Sequence, residues 1–113
     1  MLYYKNSENK LFEYQPQGIA IGMASEEVFS KNISEEIINL EKDDILILFT
    51  DGVVESISKT NKLYGDQRLQ NLVKRNFLLS SKELLKKLEE DLEKFGEKSA
   101  QHDDLTMIVI KKK

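Results

Sequence analysis

Two short acidic signals carry most of the chemistry this sequence can offer. The first is Asp51-Gly52, which closes the apolar run of "ILILFTDGVVES", residues 45–56. The second is Asp103-Asp104 in "QHDDLT", residues 101–106, just before the last apolar run, "TMIVIK". Neighbouring carboxylates repel, and a divalent cation offsets the repulsion because hard cations select carboxylate oxygens. Each signal also has an ordinary reading. A strand, an Asp-Gly pair and "VVESIS" spell a β-hairpin with a type I′ turn, and that is the local expectation for Asp51. Paired aspartates are common in solvated loops, which is the local expectation for Asp103 and Asp104. The two signals nevertheless share a geometry, with Asp51 ending one strand and Asp103 starting another. If those strands lie antiparallel side by side, both carboxylates reach the same end of the sheet and form one metal-site candidate. Carboxylates sharing a cation should approach within roughly 4 to 7 Å. Gly52 would let the backbone turn there without crowding the bound group. His102, the only histidine, could ligate, shuttle a proton or cap, and taken alone it reads as an ordinary loop residue. Thr50 and Thr106 could orient the aspartates by hydrogen bonds, or serve only as strand formers.

The elements that must position these residues follow from pattern. "LYYK" and "LFEY" flank the polar "NSEN", predicting a hairpin of Leu2–Lys5 with Leu11–Tyr14. Its aromatic residues read as core. Pro16, Gly18 and Gly22 break the chain, and "VFSKNI" predicts a strand over Val28–Ile33. A turn at Glu41–Asp44 leads into Ile45–Phe49, whose unbroken apolarity predicts a central strand covered on both faces. Asp66 is a candidate N-cap for a helix carrying Leu69, Leu72 and Val73. "SSKELLKKLEEDLEKFG" is the clearest helix, with Leu84, Leu85, Leu88, Leu92 and Phe95 on one stripe. Ser80 with Glu83 fits a capping box, and Gly96 fits the stop. The charged residues of that helix are its wet face. Strands, then two helices, then a strand argue for an α+β fold with antiparallel pairing.

Composition excludes several classes. The chain has 113 residues, 40% hydrophobic and 33% charged, with a net charge of -3. No basic surface invites nucleic acid. With no cysteine, disulfides and thiolate zinc sites are excluded. The N-terminus lacks an apolar segment behind basic residues, and no apolar run approaches the ~20 residues of a membrane helix. There is no glycine-rich phosphate loop, no Ser/His/Asp set and no zinc spacing.

The order "DDILILFTDGVVE", "KLYGDQRL", long helix, "HDDLTMIVIK" resembles the second half of a bacterial metal-dependent serine/threonine phosphatase of the PPM, or type 2C, family. The branch it most resembles is that of the stage II sporulation protein E-like phosphatases, which act on anti-sigma-factor antagonists. The resemblance runs from Gly18 to the end. It implies two antiparallel sheets stacked face to face with helices outside, and two Mn2+ or Mg2+ ions at one end. There a metal-activated water attacks phosphoserine or phosphothreonine. On this resemblance Asp51 and Asp103 are metal ligands, Gly52 and Asp104 support them, and no side chain is itself the catalytic nucleophile. The segment after Gly52 is then not a hairpin return, against the local reading.

The fold class so implied is α+β, a partial PPM-type sandwich of mostly antiparallel strands with two helices packed outside. Residues 1–113 are expected to be the C-terminal portion of one phosphatase domain whose N-terminal half is absent. An early acidic residue, a bridging Asp-Gly pair and a Gly-His-x-Pro-like stretch would lie upstream of Met1. The chain thus encodes only part of a two-metal site, and alone it is expected to be inactive. Lys42-Asp43-Asp44 stands where the family usually has a Gly-Asp turn. Expected partners are a phosphoprotein substrate, the upstream half of the domain and, through an open sheet, a second copy. No nucleic-acid partner and no membrane segment within these residues are expected, and the expected compartment is the cytoplasm. The alternative is a non-catalytic PPM-like interaction module.

Overall fold

The computed structural model describes residues 1–15, 18–96 and 104–113. Four strands form one antiparallel sheet in the order β2-β1-β3-β4: β1 Leu2–Lys5, β2 Lys10–Glu13, β3 Ile45–Phe49 and β4 Met107–Lys111. The first hairpin forms where the aromatic pattern predicts it, closed by a 3₁₀ turn at Asn6–Glu8 with Asn9 left-handed at φ 50°. β3 is central, paired to β1 through Tyr3↔Leu46 and to β4 through Leu46↔Ile110 and Phe49↔Met107.

Alternation divides the sheet into two faces. Leu2, Tyr4, Ile45 and Ile47 point to one side and are buried there with Val53, Tyr64, Leu69, Val73, Leu84, Leu88 and Leu92. Each fully buried leucine contributes roughly 1.5–3 kcal/mol relative to exposure. Apart from Val53 and Tyr64, these partners come from α3 (Asp66–Arg75) and α4 (Ser81–Gly96), the two helices expected from periodicity. The capping box is present: Glu83 Oε2 accepts from the Ser80 N–H at 2.9 Å, and the Glu83 N–H donates to Ser80 Oγ at 3.3 Å. Gly96, expected just beyond the helix, is its last residue. Lys111, on the core face of β4, donates through Nζ to the Phe77 and Leu79 carbonyls at 2.7 and 3.0 Å, tying the sheet to the α3–α4 turn.

Two further helices correct the expectation of two. Val28–Ile33 is not a strand: α1 spans Glu26–Lys31. Ser25 sits at its N-cap, glutamates fill its first turn, and Glu27 pairs with Lys31 at 2.7 Å, so start signal and charge spacing outweigh the β-branched residues. α2, Gly52–Glu55, replaces the predicted type I′ hairpin after Asp51.

The other face of the sheet departs from the expectation of a strand covered on both sides. Leu48, Ile108 and Ile110, which share it, are 36%, 51% and 41% exposed. The molecule measures 45 × 39 × 19 Å, two layers thick. Its surface is 8324 Å², against about 6,400 Å² for a compact monomer of this mass. Among the described residues, Leu48, Ile108 and Ile110 are only partly covered.

Asp43 has φ 67°, a left-handed conformation that glycine adopts without steric cost. Asp43→Gly is expected to stabilise the fold by ~0.5 kcal/mol. In urea titration the midpoint should rise at unchanged slope, and a lowered midpoint would contradict the strain argument.

Candidate functional site

The β3–β4 pairing brings Asp51 and the chain at Asp104 to one end of the sheet. Just past the last paired residues, the Thr50 N–H donates to the Thr106 carbonyl at 3.1 Å. Thr50 Oγ1 donates to the Asp104 carbonyl at 3.3 Å and accepts from the Thr106 N–H at 3.1 Å. Thr50 therefore splices the chain at 104–106 to the end of β3. It holds backbone rather than a carboxylate, which differs from the orienting role the sequence suggested.

Asp51 follows immediately, helical at φ -56° and ψ -32°. Its carbonyl accepts from the Glu55 N–H at 2.9 Å, starting α2, while its carboxylate makes no capping bond. The side chain is thus exposed at the mouth of the sheet. Gly52 is the first residue of α2, and the turn is made by helical backbone rather than by a left-handed glycine. Val53, one residue on, is fully buried and anchors α2 in the core. Asp104 is exposed, and its main chain is fixed by Thr50.

Asp103 and His102 lie outside the described residues, and so does the expected separation of the Asp51 and Asp103 carboxylates. Among the described residues no three His, Cys, Asp or Glu side chains converge as a cation cage. Carboxylates on Asp51 and Asp104 suit a hard cation by donor type.

Two polar constellations were not legible in the sequence. Asp44, at the mouth of β3, is buried. It accepts from Tyr3 Oη at 2.6 Å, the Asn6 N–H at 2.8 Å and the Glu41 N–H at 2.9 Å. Burial works to raise its pKa, but the three donors together outweigh it and the net direction is down. Tyr3, desolvated and facing that carboxylate, has its phenol pushed far up. The second constellation joins Tyr64, Arg68 and Asp91. Asp91 lies 23 residues from Arg68 on another helix, a separation at which no local pattern signals the pair.

The family model described as Stage II sporulation protein E (SpoIIE) matches residues 1–113. Among curated proteins, the chain is 30% identical over 111 residues to the phosphoserine phosphatase RsbU of Bacillus subtilis (strain 168), covering 98% of this chain and 31% of that protein. It is 29% identical over 109 residues to Protein IcfG of Synechocystis sp. (strain ATCC 27184 / PCC 6803 / Kazusa), covering 96% and 16%. The chain thus spans about a third or less of the length of the curated relatives it matches. No solved structure gives a significant match. Among the described residues no helix is long and apolar enough to cross a membrane.

Proposed function

This chain belongs to the stage II sporulation protein E family of PPM-type phosphatases, and from that membership we propose that it is the C-terminal part of a metal-dependent protein serine/threonine phosphatase domain. The observation that carries the reading is the antiparallel β3–β4 pair, which ends with Asp51 on one strand and Asp104 spliced to it through Thr50. Asp51 and Asp103 are the proposed metal ligands, with Gly52 and Asp104 supporting them. Mn2+ or Mg2+, when bound, would supply charge neutralisation and an activated water, the needs of phosphoryl transfer. The chain's own part is to hold carboxylate oxygens at one corner of a rigid sheet. The remaining ligands would come from the upstream half of the domain, so residues 1–113 alone are proposed to be inactive. The proposed substrate is a phosphoserine or phosphothreonine regulatory protein such as an anti-sigma-factor antagonist; the relative RsbU is a phosphoserine phosphatase.

The decisive experiment is hydrolysis of a phosphoserine protein by the full-length gene product, with and without Mn2+. Cation-dependent release of phosphate supports the enzyme. Its absence in folded protein favours a non-catalytic binding module.

The open face supports the same reading, since a second sheet would cover Leu48, Ile108 and Ile110. Ile108→Lys, exposed in this chain, is then expected to destabilise the full-length gene product by ~3 kcal/mol, because it would bury an unpaired charge. A melting temperature unchanged from wild type would mean that the face stays wet. A homodimer that Ile108→Lys dissociates would make the second copy the cover.

A further inference from the structure

The "KLYGD" element between α2 and α3 is left unexplained by the acidic end of the sheet. α2 has only four residues, too few to hold a direction by themselves. The returning chain holds it. The Tyr64 N–H donates to the Ser56 carbonyl at 2.8 Å and the Gly65 N–H to the Val54 carbonyl at 2.9 Å. Ile57 bridges Leu63. The Ser56 hydroxyl closes back on the Gly52 carbonyl at 2.7 Å.

That strap is anchored in turn from the helix layer. Tyr64 Oη donates to Asp91 Oδ2 on α4 at 2.8 Å. Arg68 on α3 grips both Asp91 oxygens, at 2.8 and 2.9 Å, and its guanidinium lies 5.2 Å from the Tyr64 ring centroid and 4.7 Å from that of Phe95. A bidentate guanidinium set close to two aromatic rings is restrained in orientation. Arg68 holds the Asp91 carboxyl low against its burial, while burial and Asp91 push the Tyr64 phenol up. The bonded protonation states therefore persist through neutral pH.

We propose that Tyr64, Arg68 and Asp91 form a positioning latch that fixes α2, and with it the carboxylate of Asp51. Its consequence for catalysis rests on the phosphatase reading, but the latch itself does not. None of the three touches the reacting atoms, and they act through the strap.

Asp91→Asn in the full-length gene product tests it, with Tyr64→Phe as a milder second variant and Val73→Ala as a core control on α3. Backbone amide exchange is read at Val53 and Glu55, which bond the Thr50 and Asp51 carbonyls, and at Tyr64 and Gly65. The latch requires all four to accelerate together in Asp91→Asn, by about tenfold, with a smaller, parallel change in Tyr64→Phe and none in Val73→Ala. The Mn2+ concentration for half-maximal hydrolysis should rise about tenfold, with the rate at saturating Mn2+ nearly unchanged. Acceleration confined to Tyr64 and Gly65, or the same pattern in Val73→Ala, would overturn the latch. A wild type without Mn2+-dependent hydrolysis would remove the phosphatase reading alone, since the exchange pattern still decides the latch.

Discussion

Asp51→Asn in the full-length gene product is expected to lower Mn2+-dependent phosphoserine hydrolysis by at least about a hundredfold, equivalent to roughly 2.7 kcal/mol of barrier. The substitution keeps the size of the side chain and removes the anionic oxygen a hard cation prefers. It should spare the fold. The Asp51 carboxylate is exposed and caps nothing, and the helix start depends on its main-chain carbonyl. Melting is therefore expected to move by no more than about 0.5 kcal/mol. Asp103→Asn should give a loss of similar size, and Asp104→Asn a smaller one of about tenfold, as for a residue that supports a ligand. Isothermal titration with Mn2+ supplies a readout independent of turnover, in which the Asp51→Asn protein should bind the cation more weakly. Full activity in that variant would strip Asp51 of the role.

Asp44→Asn is expected to destabilise the fold by about 3 kcal/mol. The side chain is fully buried and takes three hydrogen bonds, one from a phenol and two from backbone N–H groups. Bonds to a charged acceptor are worth roughly 1.5–3 kcal/mol each, and a buried donor left without a partner costs about 1–3 kcal/mol. An asparagine must aim its amide protons at a donor, so at least one of the three bonds fails. For a chain of this length the loss should lower the melting temperature by about 10 °C.

The pH dependence has a definite sign. The pKa of Asp44 is lower in the folded state than in the unfolded state. Its contribution is therefore complete above the unfolded value of about 3.9. It is lost as pH falls below that value and through the folded pKa. The gap in stability between wild type and Asp44→Asn should be constant near neutrality and narrow progressively below about pH 4. A gap that does not depend on pH would show that the carboxylate is not held ionised.

What the sequence by itself determined is the set of elements whose signals are local. The Ser80–Glu83 box and the leucine stripe specify α4, the two aromatic-rich runs around a polar turn specify the first hairpin, and the β-branched run specifies β4. Each depends on residues a few positions apart, so the pattern and the structure coincide. Asp51 and Asp103, with Asp104 beside it, could be singled out as candidates because carboxylates flanking an apolar strand stand out against their neighbours; Asp103 lies outside the described residues.

Only the tertiary structure decided the rest. After Asp51 the local pattern favoured a hairpin. A helix formed instead because Val53 is drawn into a core built by α3 and α4, and because the strap at Tyr64–Gly65 takes the carbonyls of Val54 and Ser56. Val28–Ile33 read as strand from its β-branched ends, yet Glu26–Lys31 is helical, with glutamates in its first turn and Glu27 paired to Lys31, and the segment joins no strand of the sheet. The unbroken apolarity of Ile45–Phe49 could not say which face this chain covers, since a strand hydrophobic on both sides looks the same whether one layer or two are present. Asp44 and the Tyr64–Arg68–Asp91 cluster were invisible for the same reason. Apart from the local Glu41–Asp44 bond, these hydrogen bonds join groups 23 to 41 residues apart, which leave no period in the sequence, and their partners are chosen only when the sheet and helices have packed.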